Sequence, residues 1–263
     1  MTRHDEDPLF WANRDHGELT KLVAELHRQR NTFNESMLGK TVFAARKACA
    51  DMFIGGIGLE IGAGSRPWPL PENATCRYGD VLDDHQLKAY HQDDGVVAPH
   101  HINGQTMEGI SRCSLDFIIS AHVLEHLRDP LGALLNQINC LKHGGVILMA
   151  VPDMRYTWDR DRPLTTLKHF EDDLLDGGKS TLIDAYTEHL TYVHPLLTGD
   201  SLTQAEISRQ AEESVIIGTD IHYHTWTTDS LDEMLARLAR DKPIRVHGPS
   251  FCVNENIVAI RKM

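Results

Sequence analysis

Short apolar runs alternating with helical stretches predict an α/β protein built on a doubly wound sheet, with N-terminal helices and a helical insertion. Three observations carry that prediction. Leu115-Asp116-Phe117-Ile118-Ile119-Ser120-Ala121 and Val146-Ile147-Leu148-Met149-Ala150-Val151 are near-continuous apolar runs, as in strands buried on both faces of a parallel sheet. Between them, Leu131, Leu134, Leu135 and Ile138 share one face of a helix around residues 130–141. Upstream, Gly58-Leu59-Glu60-Ile61-Gly62-Ala63-Gly64 reads as a buried strand entering a glycine turn, where two glycines let backbone pass close to a ligand.

The elements follow in order. Leu19, Leu22, Val23 and Leu26 mark an amphipathic helix over residues 17–30, and Met37, Val42, Phe43, Ala44 and Met52 mark a second over 36–53. Together, residues 1–53 are expected to form an N-terminal helical cap on a main domain of residues 54–263. The first strand covers residues 57–61, and the second covers 74–79 and ends at Asp80. Residues 153–227 break the rhythm. They are polar, rich in charge and histidine, and include Gly177-Gly178 and the aromatics Tyr156, Trp158, Phe170, Tyr186, Tyr192 and Tyr223. This segment is expected to be a mostly helical insertion over the carboxyl edge of the sheet, on the acceptor side. A helix over 228–240, started by Thr227 or Thr228, precedes two strands at 244–251 and 256–261. The short turn around Asn254 makes those strands an antiparallel pair.

Composition narrows the partners. The 263 residues carry 38 acidic and 26 basic side chains, a net charge of -12, which disfavours a nucleic-acid partner. No apolar run is long enough to span a bilayer. The first residues, Met1-Thr2-Arg3-His4-Asp5-Glu6-Asp7, lack the apolar segment of a secretory signal. Cys49, Cys76, Cys113, Cys140 and Cys252 are scattered without a Cys-x-x-Cys pair, as expected of reduced thiols in a cytoplasmic protein.

The glycine turn constrains its ligand. A dinucleotide fingerprint requires a third glycine where this chain has Pro67, and the Gly-Lys-Ser/Thr of a phosphate-cradling loop is missing. Glu60 stands before the turn, and Asp80 follows 16 residues after Gly64. Carboxylates repel a pyrophosphate but accept hydrogen bonds from ribose hydroxyls. S-adenosylmethionine, with hydroxyls and an amine and no phosphate, has the required properties.

Three motifs then occur in a fixed order. Leu59-Glu60-Ile61-Gly62-Ala63-Gly64 is similar to the glycine motif of class I S-adenosylmethionine-dependent methyltransferases. The run from Ser114 to Leu127, ending Ala121-His122-Val123-Leu124-Glu125-His126-Leu127, resembles their fourth-strand motif. Leu141-Lys142-His143-Gly144-Gly145-Val146-Ile147-Leu148 resembles the segment leading to their fifth strand. The resemblance covers roughly residues 54–153 and 228–262. It implies a Rossmann-like sheet of seven mostly parallel strands with a reversed seventh strand. It also implies cofactor contacts at Glu60, Gly62, Ala63, Gly64, Asp80, Asn103, Gly104, Ala121 and His122. Gly62 and Gly64 would surround the cofactor's amino-acid part, Glu60 would orient the loop or the methionine amine, and Asp80 would hold the ribose. Family members often carry an acid near the adenine where this chain has Asn103. Its carbonyl would accept from the adenine amine instead, or Asp93 and Asp94 would supply the carboxylate. A narrower resemblance, in Val151-Pro152-Asp153-Met154-Arg155-Tyr156 and His222-Tyr223-His224-Thr225-Trp226-Thr227, points to a bacterial subgroup associated with cell-surface glycans and secondary metabolites.

The implied activity is methyl transfer from S-adenosylmethionine to a small-molecule or glycan acceptor, through a hydroxyl, by in-line displacement. The alternative is a catalytically weak S-adenosylmethionine-binding scaffold. A nicotinamide oxidoreductase is opposed by Pro67. A hydroxyl acceptor must lose its proton, and histidine is the default base. His122, at the end of the fourth strand, and His169, His222 and His224 of the insertion are the catalytic candidates. In a strand, His222 and His224 would face one side and, with a carboxylate in a segment that also holds Glu171, Asp172 and Asp173, could take a divalent ion. The spacing matches no named zinc motif, so no metal ligand is assigned. Tyr156, Trp158 and Trp226 are expected either to stack on an acceptor or to form a small core in the insertion.

Overall fold

A computed structural model describes residues 37–91, 95–97 and 100–263. The chain divides into two compact units, Met1–Phe43 and Ala44–Met263. Of the first, residues 37–43 are described, and they are helical; the helix expected over 17–30 lies outside the described residues. Residues 44–53 are also helical (α1) but belong to the second unit. The boundary therefore falls at Phe43/Ala44 rather than at 53/54. The reason is packing, because Ala50 and Ile54 are buried against the sheet residues Phe117, Ile119 and Leu148.

The second unit holds a seven-stranded sheet. In chain order its strands are β1 (Gly56–Ile61), β2 (Ala74–Asp80), β3 (His100–His101), β4 (Leu115–Ala121), β5 (Leu141–Pro152), β6 (Ile244–Cys252) and β7 (Glu255–Lys262). Their spatial order is β3-β2-β1-β4-β5-β7-β6. The first five pair in parallel, and β7 runs antiparallel to both neighbours. The sheet is thus doubly wound and mostly parallel, as expected. Strand order reverses between β1 and β4, so their carboxyl ends flank the crevice where ligands of such sheets bind.

The apolar runs alternate between two cores. Ile118, Ile147, Met149, Val151, Val258 and Ile260 face one layer, and Phe117, Ile119, Val146, Leu148 and Ala150 face the other. The first layer is covered by α3 (Pro130–Cys140) and α8 (Thr228–Asp241). In α3, Asp129 accepts from the backbone N–H of Gly132 and Pro130 occupies the first turn, so the start was readable in the sequence. Leu231, Met234, Leu235 and Leu238 bury one stripe of α8, and Thr227 and Ser230 form a capping box. Between β2 and β3 lies α2 (Asp84–His91).

The insertion is mostly helical. It comprises α4 (Leu167–Asp176), α5 (Leu182–Glu188), a π-helical stretch (His189–Val193), α6 (His194–Thr198) and α7 (Gln204–Ile217). Leu182, Tyr186, Leu190, Ile207, Ala211 and Tyr223 form its own core. The three aromatics assigned to stacking or to that core take other places. Trp226 is fully buried in the main core, stacked on Phe170 with centroids 5.6 Å apart. Tyr156 and Trp158 are exposed, and Tyr156 lies against Phe251.

Phe117 is fully buried at the centre of the sheet, under the Cα of Gly58. Replacing it with alanine should lower stability by about 3–5 kcal/mol. Chemical denaturation measures this directly, and an unchanged midpoint would contradict the packing of that layer.

Candidate active site

β1 ends at Ile61, and the chain turns at once. Gly62 has φ +67, and its N–H donates to the Gly79 carbonyl at 2.9 Å. A Cβ there would sit 2.6 Å from Val123 Cγ2; at Gly64, φ +54, it would sit 2.6 Å from His91 Nε2. Both glycines are therefore favoured by backbone conformation, and Gly62 also by space, since the exposed His91 ring can move aside. The turn opens on a cavity of about 680 Å³, within the range usual for small-molecule sites. Gly62, Asp80, Asn103, Gly104 and His122 line it from the sheet, and Gly177, Gly218, Asp220 and Tyr223 line it from the insertion.

The expected contacts separate into three groups. Gly62, Asp80, Asn103, Gly104 and His122 reach the cavity. Ala63, Gly64 and Ala121 do not line it; Gly64 instead accepts from the Val97 N–H at 3.0 Å, and Ala121 packs on the second sheet layer. Glu60 is buried behind the turn. Both of its carboxylate oxygens accept from the Trp68 N–H, at 2.9 and 3.1 Å, so it holds the chain leaving the turn. Burial pushes its pKa up to about 7, against the opposing effects of that bond and of Arg46.

Asp80 accepts from the Leu82 N–H at 2.9 Å, and burial raises its pKa. Asn103 departs from expectation. Its Oδ1 already accepts from the N–H groups of Gln105, at 2.8 Å, and Thr106, at 3.2 Å. It closes its own turn and so is not a free acceptor for an adenine amine. Asp93 and Asp94, the alternative source of a carboxylate, lie outside the described residues.

His122 lines the cavity with both ring nitrogens facing carboxylates. It follows β4 directly, in the left-handed region at φ 54, with its N–H on the Ala150 carbonyl. Nε2 lies 2.9 Å from Glu255 Oε2, and Nδ1 lies 3.5 Å from Glu125 Oε1. Burial opposes a charge on the ring, but the two carboxylates outweigh it and raise the pKa to about 9. At neutral pH the ring is an imidazolium, with no lone pair to take a proton.

On the insertion side, His126 Nδ1 lies 2.8 Å from Asp220 Oδ1, and the Tyr90 hydroxyl donates to Asp220 Oδ2 at 3.2 Å. Asp220 thereby ties the insertion to α2 and to the loop after β4 across the cavity. His222 stands just behind, with Nδ1 2.6 Å from Asp159 Oδ2 and its ring edge-on to His126 at 4.8 Å. His169 and His224 lie elsewhere. Both flank Asp173, at 3.4 and 2.7 Å, among Phe170 and Trp226, and neither lines the cavity. The i, i+2 reading fails because residues 219–227 join no strand ladder, and each histidine is captured by its own carboxylate.

Sequence reading assigned no role to Tyr90, Glu125, His126 or Asp220. Glu125-His126 directly after an apolar strand was the available signal. The Tyr90–Asp220 pair spans 130 residues and had none.

A family model described as a methyltransferase domain matches residues 45–194, more than half of the chain. No curated protein matches the sequence. Several solved structures are similar to this one. A carbon methyltransferase, CurJ, shares 15% identity over 80% of this chain with a TM-score of 0.42, and the chain spans 49% of its length. An S-adenosylmethionine-dependent methyltransferase from Aquifex aeolicus shares 11% identity over 83% of this chain and 89% of its own, at 0.44. An O-methyltransferase family protein from Burkholderia thailandensis shares 12% over 90% of this chain and 60% of its own, at 0.45.

Two predictions follow from the turn. Gly62→Ala adds a side chain at positive φ and against Val123, costing roughly 1–2 kcal/mol from backbone conformation alone. Calorimetric titration should show S-adenosylhomocysteine affinity falling at least about tenfold; wild-type affinity would contradict the close approach. Glu60 has a folded pKa of about 7 against an ordinary 4.5. Its contribution to stability is whole below about 4.5 and is lost as pH rises through 7. Wild type measured against Glu60→Gln should lose up to ~3 kcal/mol across that window. A difference independent of pH would contradict the buried carboxyl.

Proposed function

This chain belongs to the methyltransferase-domain family as an S-adenosylmethionine-dependent methyltransferase, and from that premise we propose that its acceptor is a hydroxyl of a small molecule or glycan. One observation carries the proposal. A single cavity of about 680 Å³ is lined both by the sheet edge, at Gly62 and Asp80, and by the insertion, at Gly218, Asp220 and Tyr223. Donor and acceptor then share one half-open cleft, whose size suits a small acceptor better than a folded macromolecule. A net charge of -12 further disfavours nucleic acid.

The residues present fit the cofactor. Gly62 and Gly104 present bare backbone at the cavity wall, and Asp80 offers a carboxylate for vicinal hydroxyls. S-adenosylmethionine supplies an electrophilic methyl carbon on its sulfonium. The chain's own work is alignment and exclusion of water, and alignment alone contributes as much as roughly 7–11 kcal/mol in favourable cases. Asp220 of the insertion, with Tyr90 and His126 facing it, gives that end of the cavity its hydrogen-bonding groups, the kind a hydroxyl acceptor requires. His122 is a fixed cation held by Glu125 and Glu255, so the acceptor's proton goes elsewhere.

The test is transfer of labelled methyl from S-adenosylmethionine to separate panels of small hydroxyl compounds, glycans, amines, nucleic acids and proteins. Label should appear in the hydroxyl or glycan panel, with kcat/KM falling at least about tenfold in Asp220→Ala, a loss of ~1.4 kcal/mol. Label in nucleic acid or protein would overturn the proposal. Cofactor binding with no transfer to any panel would point to the scaffold alternative.

A further inference from the structure

We propose that Glu125, His126 and His222 form a binding site for a divalent transition-metal ion beside the acceptor side of the cavity. A carboxylate oxygen of Glu125 and one ring nitrogen of each histidine lie within 4.8 Å of one another. The three come from two places that folding brings together, the 3-10 turn Leu124–His126 after β4 and the end of the insertion.

Two observations set this cluster apart from ordinary polar packing. The first is Glu125 itself. Its side chain is fully buried, and neither carboxylate oxygen has a hydrogen-bond partner among the described residues. The His122 ring, at 3.5 Å, is an ionic neighbour only. His122 supplies a neighbouring charge, but a buried carboxylate without hydrogen bonds is costly, and an ion between it and the two rings would coordinate the oxygens that lack a donor.

The second is what holds the rings. His126 Nδ1 is 2.8 Å from Asp220 Oδ1, and His222 Nδ1 is 2.6 Å from Asp159 Oδ2. Both bonds leave Nε2 as the free ligand atom. A carboxylate on the far nitrogen is the usual means of orienting a metal-bound histidine and raising its basicity. Asp159 is itself fixed by a buried Arg162, whose Nη1 donates at 2.9 Å.

The other histidine cluster shows the contrast. His169, Asp173 and His224 satisfy the same spacing. There, however, Asp173 already accepts from Thr181 and pairs with Nε2 of His224. Its carboxylate is satisfied, and no orphaned oxygen points to an ion.

One carboxylate and two imidazoles suit zinc or its first-row neighbours better than magnesium or calcium, which favour all-oxygen sites. Three protein ligands leave a coordination position open, as in sites where the ion acts on a substrate. The ion's role rests on the acceptor reading above. A hydroxyl bound to it would release its proton to solvent at lower pH than a free one. The existence of the site rests on the three side chains alone.

The experiment titrates chelator-treated full-length protein with zinc by calorimetry, without cofactor or acceptor, and repeats it with cobalt, following its visible absorption. One equivalent should bind to wild type. Asp220→Asn removes one orienting carboxylate from a half-exposed side chain and should weaken binding about 10–100-fold. Binding should vanish in His222→Asn and Glu125→Gln and survive in His169→Asn. Wild type without stoichiometric binding, or His222→Asn binding as wild type does, would overturn the site. Loss in His169→Asn alone would move the ion to the other cluster and overturn it equally. Zinc bound as expected with no transfer to any hydroxyl would uphold the site and sink only the acceptor reading.

Discussion

Glu255 is the buried carboxylate on which the carboxyl edge of the sheet depends. It stands at the first residue of β7 and accepts both Nε and Nη2 of Arg46, at 3.0 and 2.6 Å, while His122 Nε2 approaches at 2.9 Å. Burial opposes its charge, but the bonds to His122 and Arg46 hold its carboxyl below the usual range. One side chain thus joins α1, the residue after β4 and β7. The network continues on the other side of Arg46. The Trp68 indole N–H donates to the Arg46 carbonyl at 2.7 Å, and the Trp68 backbone N–H donates to Glu60 behind the glycine turn. Breaking a buried pair by removing one partner typically costs about 3–5 kcal/mol, so this chain of charges fixes the rim of the cavity firmly.

Apolar packing and polar chemistry divide the molecule between them. The two sheet layers give β1 and β4 fixed carboxyl ends, and the glycine turn and His122 begin where the strands stop. His122 is held at φ 54, a conformation that side chains other than glycine rarely adopt, and its two carboxylates offset that strain. The insertion keeps its own core and is tied across the cavity by Asp220, with Tyr90 on one oxygen and His126 on the other. The cavity between them is lined by Gly62 and Asp80 at the strand ends and by Gly218, Asp220 and Tyr223 of the insertion.

The parts that were readable from the sequence are those set by local pattern. Continuous apolar runs marked β4 and β5, a stripe at helical spacing marked α8, and Gly62-Ala63-Gly64 marked the turn. His100–His101 was too short to carry a pattern, yet it extends the sheet beyond β2. Among the residues lining the cavity, Gly62 and Asp80 were legible because strand ends announce them. The role of His122 was not, because its protonation depends on Glu255, 133 residues away. His169 and His224 looked like His222 in sequence and differ only in which carboxylate folding brings to them, Asp173 in one case and Asp159 in the other. Pairing across the chain decides the chemistry of a histidine, and local spacing does not record it.

The most direct measurement is a crystal structure of the protein grown with S-adenosylhomocysteine. The ligand should lie in the cavity at the strand ends, its ribose at Asp80 and its backbone contact at Gly62, with the sulfur end directed toward Asp220 and Tyr223 of the insertion. A ligand bound away from Gly62, or one whose sulfur faces away from the insertion, would contradict the shared site for donor and acceptor.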